Sequence, residues 1–119
     1  YIVLFEAQFK RNYIHIRDVC RAFIHAIDNS GTMKSNIYNL GLSEANLSKK
    51  ELCEEIKNYI DFDFSLNEFK KDPDQRNYIV SNDKIISTGF KTSISLSEGI
   101  QELKKGYEGL NLTNFKNFS

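Results

Sequence analysis

The side chains that could do chemistry are few in this sequence and lie far apart. Two histidines, His15 and His25, and two cysteines, Cys20 and Cys53, occur in 119 residues. The cysteines form no C-x-x-C pair, no histidine stands at ligand spacing from them, and no carboxylate set accompanies the histidines. We therefore interpret the histidines as surface or hydrogen-bonded structural groups. The cysteines fall among apolar residues on predicted helices, which favours small buried hydrophobes over the alternative of a single disulfide.

Motifs for metal, phosphate and nucleophile chemistry are absent. The acidic residues Asp61, Asp63, Asp72 and Asp74 match no EF-hand spacing, and acidic loop side chains are usually solvated. The glycines form neither G-x-G-x-x-G nor G-x-x-x-x-G-K, so the sequence contains no loop that cradles a phosphate. No tyrosine is followed four residues later by lysine, and no G-x-S-x-G occurs. We expect no metal site and no catalysis by this segment alone.

Strand-like and helix-like segments must position whatever site exists, and they alternate as in an α/β protein. Ile2–Phe5 and Asn12–Ile16 are rich in β-branched and aromatic residues and predict strands. Asp18 is the expected N-cap of a helix of about ten residues. The apolar face of that helix consists of Val19, Phe23, Ala26 and Ile27.

The second half of the sequence continues the alternation. Asn36–Leu40 predicts a buried strand, and the period-two pattern of Phe62–Leu66 predicts a half-buried one. Capping boxes at Ser48–Glu51 and Ser95–Glu98 each open a helix. Spacing alone assigns a packing role to Tyr38, Leu52, Ile56, Leu96, Ile100 and Leu103.

Composition and charge exclude several classes of protein. Lys plus Arg is 16 and Asp plus Glu is 16, and the resulting net charge of zero argues against a nucleic-acid or anionic-membrane surface. A length of 119 residues with 40% apolar residues fits one globular domain. No apolar run approaches the ~20 residues of a membrane span, so we expect a cytoplasmic protein. Because Tyr1 opens directly into a hydrophobic run, we also expect a segment of a longer protein.

Three blocks of the sequence, taken together, resemble a known family. Lys10–Val19 (KRNYIHIRDV) resembles R-D-(F/Y)-(I/V)-H-V-x-D-V, and Ile37–Gly41 (IYNLG) is similar to (F/Y)-N-(V/I)-G. Asp72–Tyr78 (DPDQRNY) and Ser95–Ile100 (SLSEGI) are similar to P-G-D-x-R and S-L-E-E-G-(I/L). These are patterns of the extended short-chain dehydrogenase/reductase family, the NAD-dependent nucleotide-sugar epimerases and dehydratases. The resemblance covers about residues 3–107.

The resemblance implies a fold class and a domain division. The fold would be α/β, the C-terminal substrate-binding portion of a Rossmann-type extended short-chain dehydrogenase, with short strands and three to four helices. Residues 1–107 would form this nucleotide-sugar-binding portion, and residues 108–119 a polar, frayed tail. In the family, the Gly-rich cofactor loop and the Tyr-x-x-x-Lys pair belong to the N-terminal portion. NAD or NADP would therefore bind to the intact enzyme, and this segment alone would hold no cofactor.

The resemblance also implies roles for individual residues. The arginine that opens the first block contacts the pyrophosphate in the family, and Arg11 occupies its position. The aromatic residue two positions later contacts the nucleotide, which corresponds to Tyr13. Asp74 matches an aspartate that accepts hydrogen bonds from the ribose hydroxyls, and Lys71 stands where an arginine is common. For each of these residues, a structural or solvated role is the alternative.

Two further positions and two departures from the family pattern complete the candidate site. Val3 and Phe5 align with the strand that borders the base, although an apolar strand is first of all core. Asn12 replaces the usual aspartate, and Glu6 stands where glycine is common. These departures leave two explanations open, a different donor nucleotide or a reshaped loop.

The sequence thus predicts the substrate-binding part of an NAD(P)-dependent nucleotide-sugar epimerase or dehydratase. Its expected partners are a nucleotide-diphosphate sugar and the missing N-terminal Rossmann portion, with no nucleic acid and no membrane. The oligomeric state of the intact enzyme is left open, with a homodimer as one alternative. The alternative, from a different class, is a stand-alone binding or interaction module that performs no chemistry.

Overall fold

The computed structural model describes residues 1–67, 69 and 76–110. Its elements in chain order are β1 (Ile2–Phe5), β2 (Lys10–Asn12), α1 (Ile16–Asp28), α2 (Ser30–Met33), a 3-10 turn (Ser43–Ala45), β3 (Asn46–Ser48), α3 (Lys49–Lys57), β4 (Phe64–Asn67), α4 (Asp83–Ile86) and α5 (Leu96–Gly109). The α/β class is as expected. The expected three to four helices were too few, because the described residues contain five α-helices, with the four-residue α2 in the segment predicted to end α1.

The strands form two small sheets of different kinds. β1 runs parallel to β4, with Ile2 opposite Phe64, whereas β2 and β3 are antiparallel, with Arg11 opposite Leu47. Parallel strands require a long crossover connection, and the chain between β1 and β4 contains α1, α2 and α3. The predicted strand Ile2–Phe5 is confirmed, and β4 begins two residues later than its pattern predicted.

The second predicted strand, Asn12–Ile16, is wrong in extent. Pairing with β3 ends at its first residue, and its last residue already begins α1. His15 ends the extended segment because its Nδ1 accepts a hydrogen bond from the Arg17 amide at 3.1 Å. His15 is therefore the N-cap of α1, the position that the sequence analysis gave to Asp18.

Asp18 instead lies inside the first turn of α1, with 0% of its surface exposed. Its carboxylate accepts hydrogen bonds from the Ser93 and Ile94 amides at 3.0 Å each, and from the Arg21 guanidinium. Burial alone would raise the pKa of Asp18, but the hydrogen bonds from Ile94, Ser93 and Arg21 outweigh it and hold the pKa below its usual value. This contact ties the start of α1 to the segment before α5.

A small apolar core lies on one side of α1. It consists of Ala22, Met33, Ile85 and Phe90, with Ala26, Tyr38 and Leu40 packed against it.

The opposite side of α1 is apolar and exposed. Phe23 and Ile27, which the sequence analysis placed on the apolar face, are 69% and 71% exposed. The spacing did not say which side of the helix faces the core, and α1 is turned so that Asp18 and Ala22 face inward. We call the outward side the open face; its members are Ile16, Cys20, Phe23, Ile24 and Ile27.

Residues 36–40, predicted as a buried strand, belong to no strand in the described part of the chain. Ile37 is 87% exposed, while Tyr38 and Leu40 pack on the core, so burial alternates along the segment. Residues 36–41 make no backbone–backbone hydrogen bond with any other described residue. The segment therefore has the burial alternation of a strand without a strand partner.

Both predicted capping boxes are confirmed, at the starts of α3 and α5. The apolar face of α5 is only partly buried: Ile100 is 7% exposed, but Leu103 and Tyr107 are 62% and 64% exposed. The packing role expected for Leu103 is thus wrong within the described residues. Residues 111–119, most of the expected tail, lie outside the described residues. None of the described helices is long and apolar enough to cross a bilayer.

Candidate functional site

The Arg11 guanidinium is held between a backbone oxygen and an aromatic ring. Its Nη1 donates to the Lys10 carbonyl at 2.8 Å, and its Cζ lies 5.4 Å from the centroid of the Tyr78 ring. That separation is within the range of a cation–π interaction. A planar guanidinium can grip two phosphate oxygens at once, so Arg11 has the chemistry that a diphosphate anchor needs.

Tyr13 lies within electrostatic range of this cation. Its amide donates to the Ala45 carbonyl at 3.1 Å, which fixes the backbone just beyond β2. Burial raises the pKa of the Tyr13 phenol, the Arg11 charge opposes that rise, and Cys53 and Tyr78 add to it. The phenol is therefore protonated at neutral pH and can donate or accept a hydrogen bond. The structure brings Arg11, Tyr13 and Tyr78 together.

Asn12, the residue that departs from the family pattern, holds the neighbouring loop. Its Oδ1 accepts from the Leu42 amide at 2.8 Å, and its Nδ2 donates to the Leu42 carbonyl at 2.8 Å and to Asn46 Oδ1 at 3.0 Å. A carboxylate could make the first contact but not the other two, because it has no donor. A Cβ at Gly41 would lie 2.4 Å from Asn12 Oδ1, so this close approach requires glycine. The geometry favours the reshaped-loop explanation of Asn12.

Val3 and Phe5 lie on β1, in the other sheet. Val3 is 41% exposed and Phe5 is half-buried, and the Phe5 carbonyl accepts from Lys49 Nζ at 2.9 Å. Both residues are placed on a strand as expected, in a sheet separate from the one that carries Arg11. Lys71 and Asp74 lie outside the described residues.

Tyr78 is the residue of this cluster to which the sequence analysis gave no role. The Tyr78 ring and the Arg11 guanidinium come from distant parts of the chain, and no local periodicity connects them. The one available signal was position: Tyr78 closes the third block of the resemblance.

An open apolar cavity of about 540 Å³ adjoins Tyr13. It lies between the connection from β2 to α1 and the facing sides of α3 and α5, with Leu52, Ile56, Ile100 and Leu103 in its wall. A wall of this composition suits an apolar surface better than a phosphate. Within the described ranges, no group of three or more His, Cys, Asp or Glu side chains is arranged to hold a metal ion.

Comparison with solved structures identifies enzymes of similar fold. RMD from Pseudomonas aeruginosa, complexed with NADPH, matches with a TM-score of 0.71 and 17% sequence identity, over 90% of this chain and 35% of that one. A GDP-D-glycero-L-gluco-heptose synthase from Campylobacter jejuni, in the presence of NADPH, matches with a TM-score of 0.70 and 21% identity, over 89% of this chain and 32% of that one. No protein-family model matches the chain.

These matches show the fold, which the chain shares with part of RMD and part of the GDP-heptose synthase, both solved with NADPH. The expected resemblance is confirmed at that level. The chain spans about a third of the length of the solved structures it matches. Its sequence contains neither G-x-G-x-x-G nor G-x-x-x-x-G-K.

Proposed function

We propose that this chain is the C-terminal, nucleotide-sugar-binding portion of an NAD(P)-dependent nucleotide-sugar epimerase or dehydratase. The observation that carries the proposal is the Arg11 guanidinium stacked on Tyr78 beside Tyr13. Arg11 also occupies the position of the arginine that contacts the pyrophosphate in the family pattern. The fold similarity to a GDP-heptose synthase solved with NADPH supports the same substrate class.

Each candidate residue has a defined task under this proposal. Arg11 binds the diphosphate through paired N–H donors, and the Tyr13 hydroxyl and ring contact the nucleotide. Asp74 accepts hydrogen bonds from the ribose hydroxyls, and Lys71 adds a positive charge near the phosphates. Val3 and Phe5 border the base. Together these contacts would fix the sugar in one orientation, which is the main contribution of a substrate-binding portion to catalysis.

The chain alone would be inactive under this proposal. In the intact enzyme, bound NAD(P) would supply the hydride-transfer chemistry. The residues of this chain bind and orient the substrate, whereas the family's catalytic Tyr-x-x-x-Lys pair and Gly-rich loop do not occur in it.

The N-terminal Rossmann portion is the partner that we propose for the open face. Full burial of one large apolar side chain stabilises a protein by about 1.5–3 kcal/mol, so a stripe of them left in water is costly. Residues 36–41 follow α1 and α2 without a backbone–backbone hydrogen bond to another described residue, so a neighbouring strand could pair with them. A helix with an apolar outer face followed by an unpaired extended segment is what remains when part of an α/β sheet is taken away. About two thirds of each matched structure has no counterpart in this chain, enough to supply such a sheet.

Calorimetric titration of the complete natural polypeptide with UDP, GDP, CDP and dTDP tests the substrate class. At least one of these diphosphates should bind, and Arg11→Ala should weaken that binding by about 1.5–3 kcal/mol, as expected for the loss of hydrogen bonds to a charged group. Arg17→Ala is the matched control, because Arg17 is an exposed α1 arginine paired with Glu102. Its affinity should stay that of the wild type.

Two results would contradict the proposal. Absence of binding by every diphosphate and its sugar conjugates would favour the stand-alone interaction module. Binding that Arg11→Ala leaves unchanged would place the diphosphate elsewhere.

A further inference from the structure

We infer that Tyr78 is a positioning residue for Arg11, holding the guanidinium ready for a diphosphate before the ligand arrives. The inference rests on the proposed function and adds a residue for which neither the sequence patterns nor the matched structures supplied a role. It is carried by the backbone contacts that bring Tyr78 to β2 and by the ring contact itself.

One backbone oxygen accepts hydrogen bonds from both the Arg11 side chain and the Tyr78 backbone. The Lys10 carbonyl accepts from Arg11 Nη1 at 2.8 Å and from the Tyr78 amide at 3.3 Å. The Lys10 amide in turn donates to Asn77 Oδ1 at 2.9 Å. Residues 77 and 78 therefore lie along β2. Their hydrogen bonds to the Lys10 backbone place the ring of Tyr78 next to Arg11.

The segment is also anchored beyond Tyr78. The Val80 amide donates to Asn46 Oδ1 at 2.9 Å, and Asn46 Nδ2 donates to the Val80 carbonyl at 3.0 Å. Asn46 lies on β3, directly opposite Asn12. The chain on both sides of Tyr78 is thus fixed to the same two-stranded ribbon that carries Arg11. The ring position follows from these anchors, and none of them involves the phenol hydroxyl.

The ring contact matters because arginine is long and flexible. A guanidinium that moves freely loses rotamer freedom when it binds a phosphate, and that loss weakens binding. A ring centroid 5.4 Å from Cζ confines the group in advance. Tyr78 is 41% exposed, so the stacked pair lies at the surface, where a ligand can reach it.

A double-mutant cycle on the complete polypeptide tests the inference, with the tightest-binding nucleoside diphosphate as probe. Tyr78→Leu should weaken binding roughly two- to fivefold, the range expected for loss of an exposed cation–π contact. Tyr78→Phe keeps the ring and should bind like the wild type. In an Arg11→Ala background, Tyr78→Leu should have no further effect. Equal losses in both backgrounds, or a loss in Tyr78→Phe as large as in Tyr78→Leu, would overturn the positioning role.

A ligand-free measurement separates this inference from the proposed function. In NMR spectra of the complete polypeptide, the Arg11 side-chain protons should show an aromatic ring-current shift that Tyr78→Phe retains and Tyr78→Leu abolishes. The order parameter of Arg11 Nε should fall in Tyr78→Leu alone. No change in either signal would overturn the inference even if a diphosphate binds. If the signals behave as expected but no diphosphate binds, the ring contact stands while the proposed function and the ligand-directed role fail.

Discussion

The two sides of α1 differ in whether their side chains have partners within the described chain. On the inward side, Asp18 is completely buried and every contact of its carboxylate is with a hydrogen-bond donor of the chain. On the outward side, the open face presents Phe23 and Ile27 with more than two thirds of their surfaces exposed. The inward side is complete within the described residues, whereas the outward side calls for a partner surface. The difference indicates that the described residues satisfy the inward side of α1 but do not cover its outward side.

Asn12 and Asn46, which lie on the two-stranded ribbon that carries Arg11, also form hydrogen bonds within the described chain. Asn12 pairs with both backbone groups of Leu42, and Asn46 pairs with both backbone groups of Val80. Each side-chain amide thereby makes the two hydrogen bonds that a neighbouring strand would otherwise make to that residue. Residues 36–41 make no backbone–backbone hydrogen bond with another described residue, although the Ile37 carbonyl accepts from Lys84 Nζ at 2.9 Å. The ribbon that carries the candidate diphosphate site is thus held by hydrogen bonds within the described chain.

Loss of the Asp18 carboxylate should give the largest effect and test the inward side. Asp18→Asn removes the charge and places an amide donor against the Ser93 amide, together with either the Ile94 amide or the Arg21 guanidinium. We expect a loss of about 3 kcal/mol or more in the free energy of unfolding at pH 7. Because the pKa of Asp18 is lowered in the folded protein, its stabilisation is complete above the unfolded-state pKa near 4 and declines as the pH falls through the folded value. Urea unfolding of the complete polypeptide at pH 7 and pH 3 measures both.

Asp28→Asn, on the same helix, is the control for this substitution and should change stability by less than about 0.5 kcal/mol. A difference between wild type and Asp18→Asn that persists undiminished at pH 3 would contradict the role given to the charge.

A charge on the open face should give the next largest effect. If the complete polypeptide covers this face, Phe23→Asp should reduce the free energy of unfolding by about 2–4 kcal/mol, because it buries a charge and removes apolar contact. Phe23→Leu keeps the face apolar and should cost much less. Unfolding curves for both variants measure the difference. Equal stability of Phe23→Asp and wild type would mean that the face stays in water and that no Rossmann portion covers it.

The smallest effect should come from the asparagine that departs from the family pattern. Asn12→Asp restores the residue usual in the family but removes the donor to the Leu42 carbonyl, and we expect a loss of about 1–2 kcal/mol in unfolding free energy at pH 7. Asn39→Asp, at an exposed position, is the matched control. Thermal or urea unfolding distinguishes the two. A neutral or stabilising Asn12→Asp would show that the amide is not what shapes this loop.

The elements that the sequence predicts well are those set by neighbouring residues. Both capping boxes, at Ser48 and Ser95, form as expected because their partners stand three positions apart. His15 and not Asp18 is the N-cap of α1, because the Asp18 carboxylate is buried and accepts hydrogen bonds from the distant Ser93 and Ile94 amides. Local rules favoured the aspartate, and a long-range contact decided otherwise.

The face of α1 and the composition of the site could be predicted only in part. Periodicity identifies an apolar side of a helix but not whether a partner covers it, so the spacing could not show that Phe23 is exposed in the described structure. Arg11 and Tyr13 follow from a motif and are close in space. Tyr78 reaches Arg11 through pairing between distant segments, which no local pattern encodes.

The most direct test of the central claim is a crystal structure of the complete polypeptide with the tightest-binding nucleoside diphosphate. The account predicts phosphate oxygens about 2.7–2.9 Å from the Arg11 guanidinium nitrogens, the distance of charge-assisted hydrogen bonds, with the ring of Tyr78 still against the guanidinium. A diphosphate bound at another site, with no phosphate oxygen within hydrogen-bond distance of the Arg11 guanidinium, would contradict it.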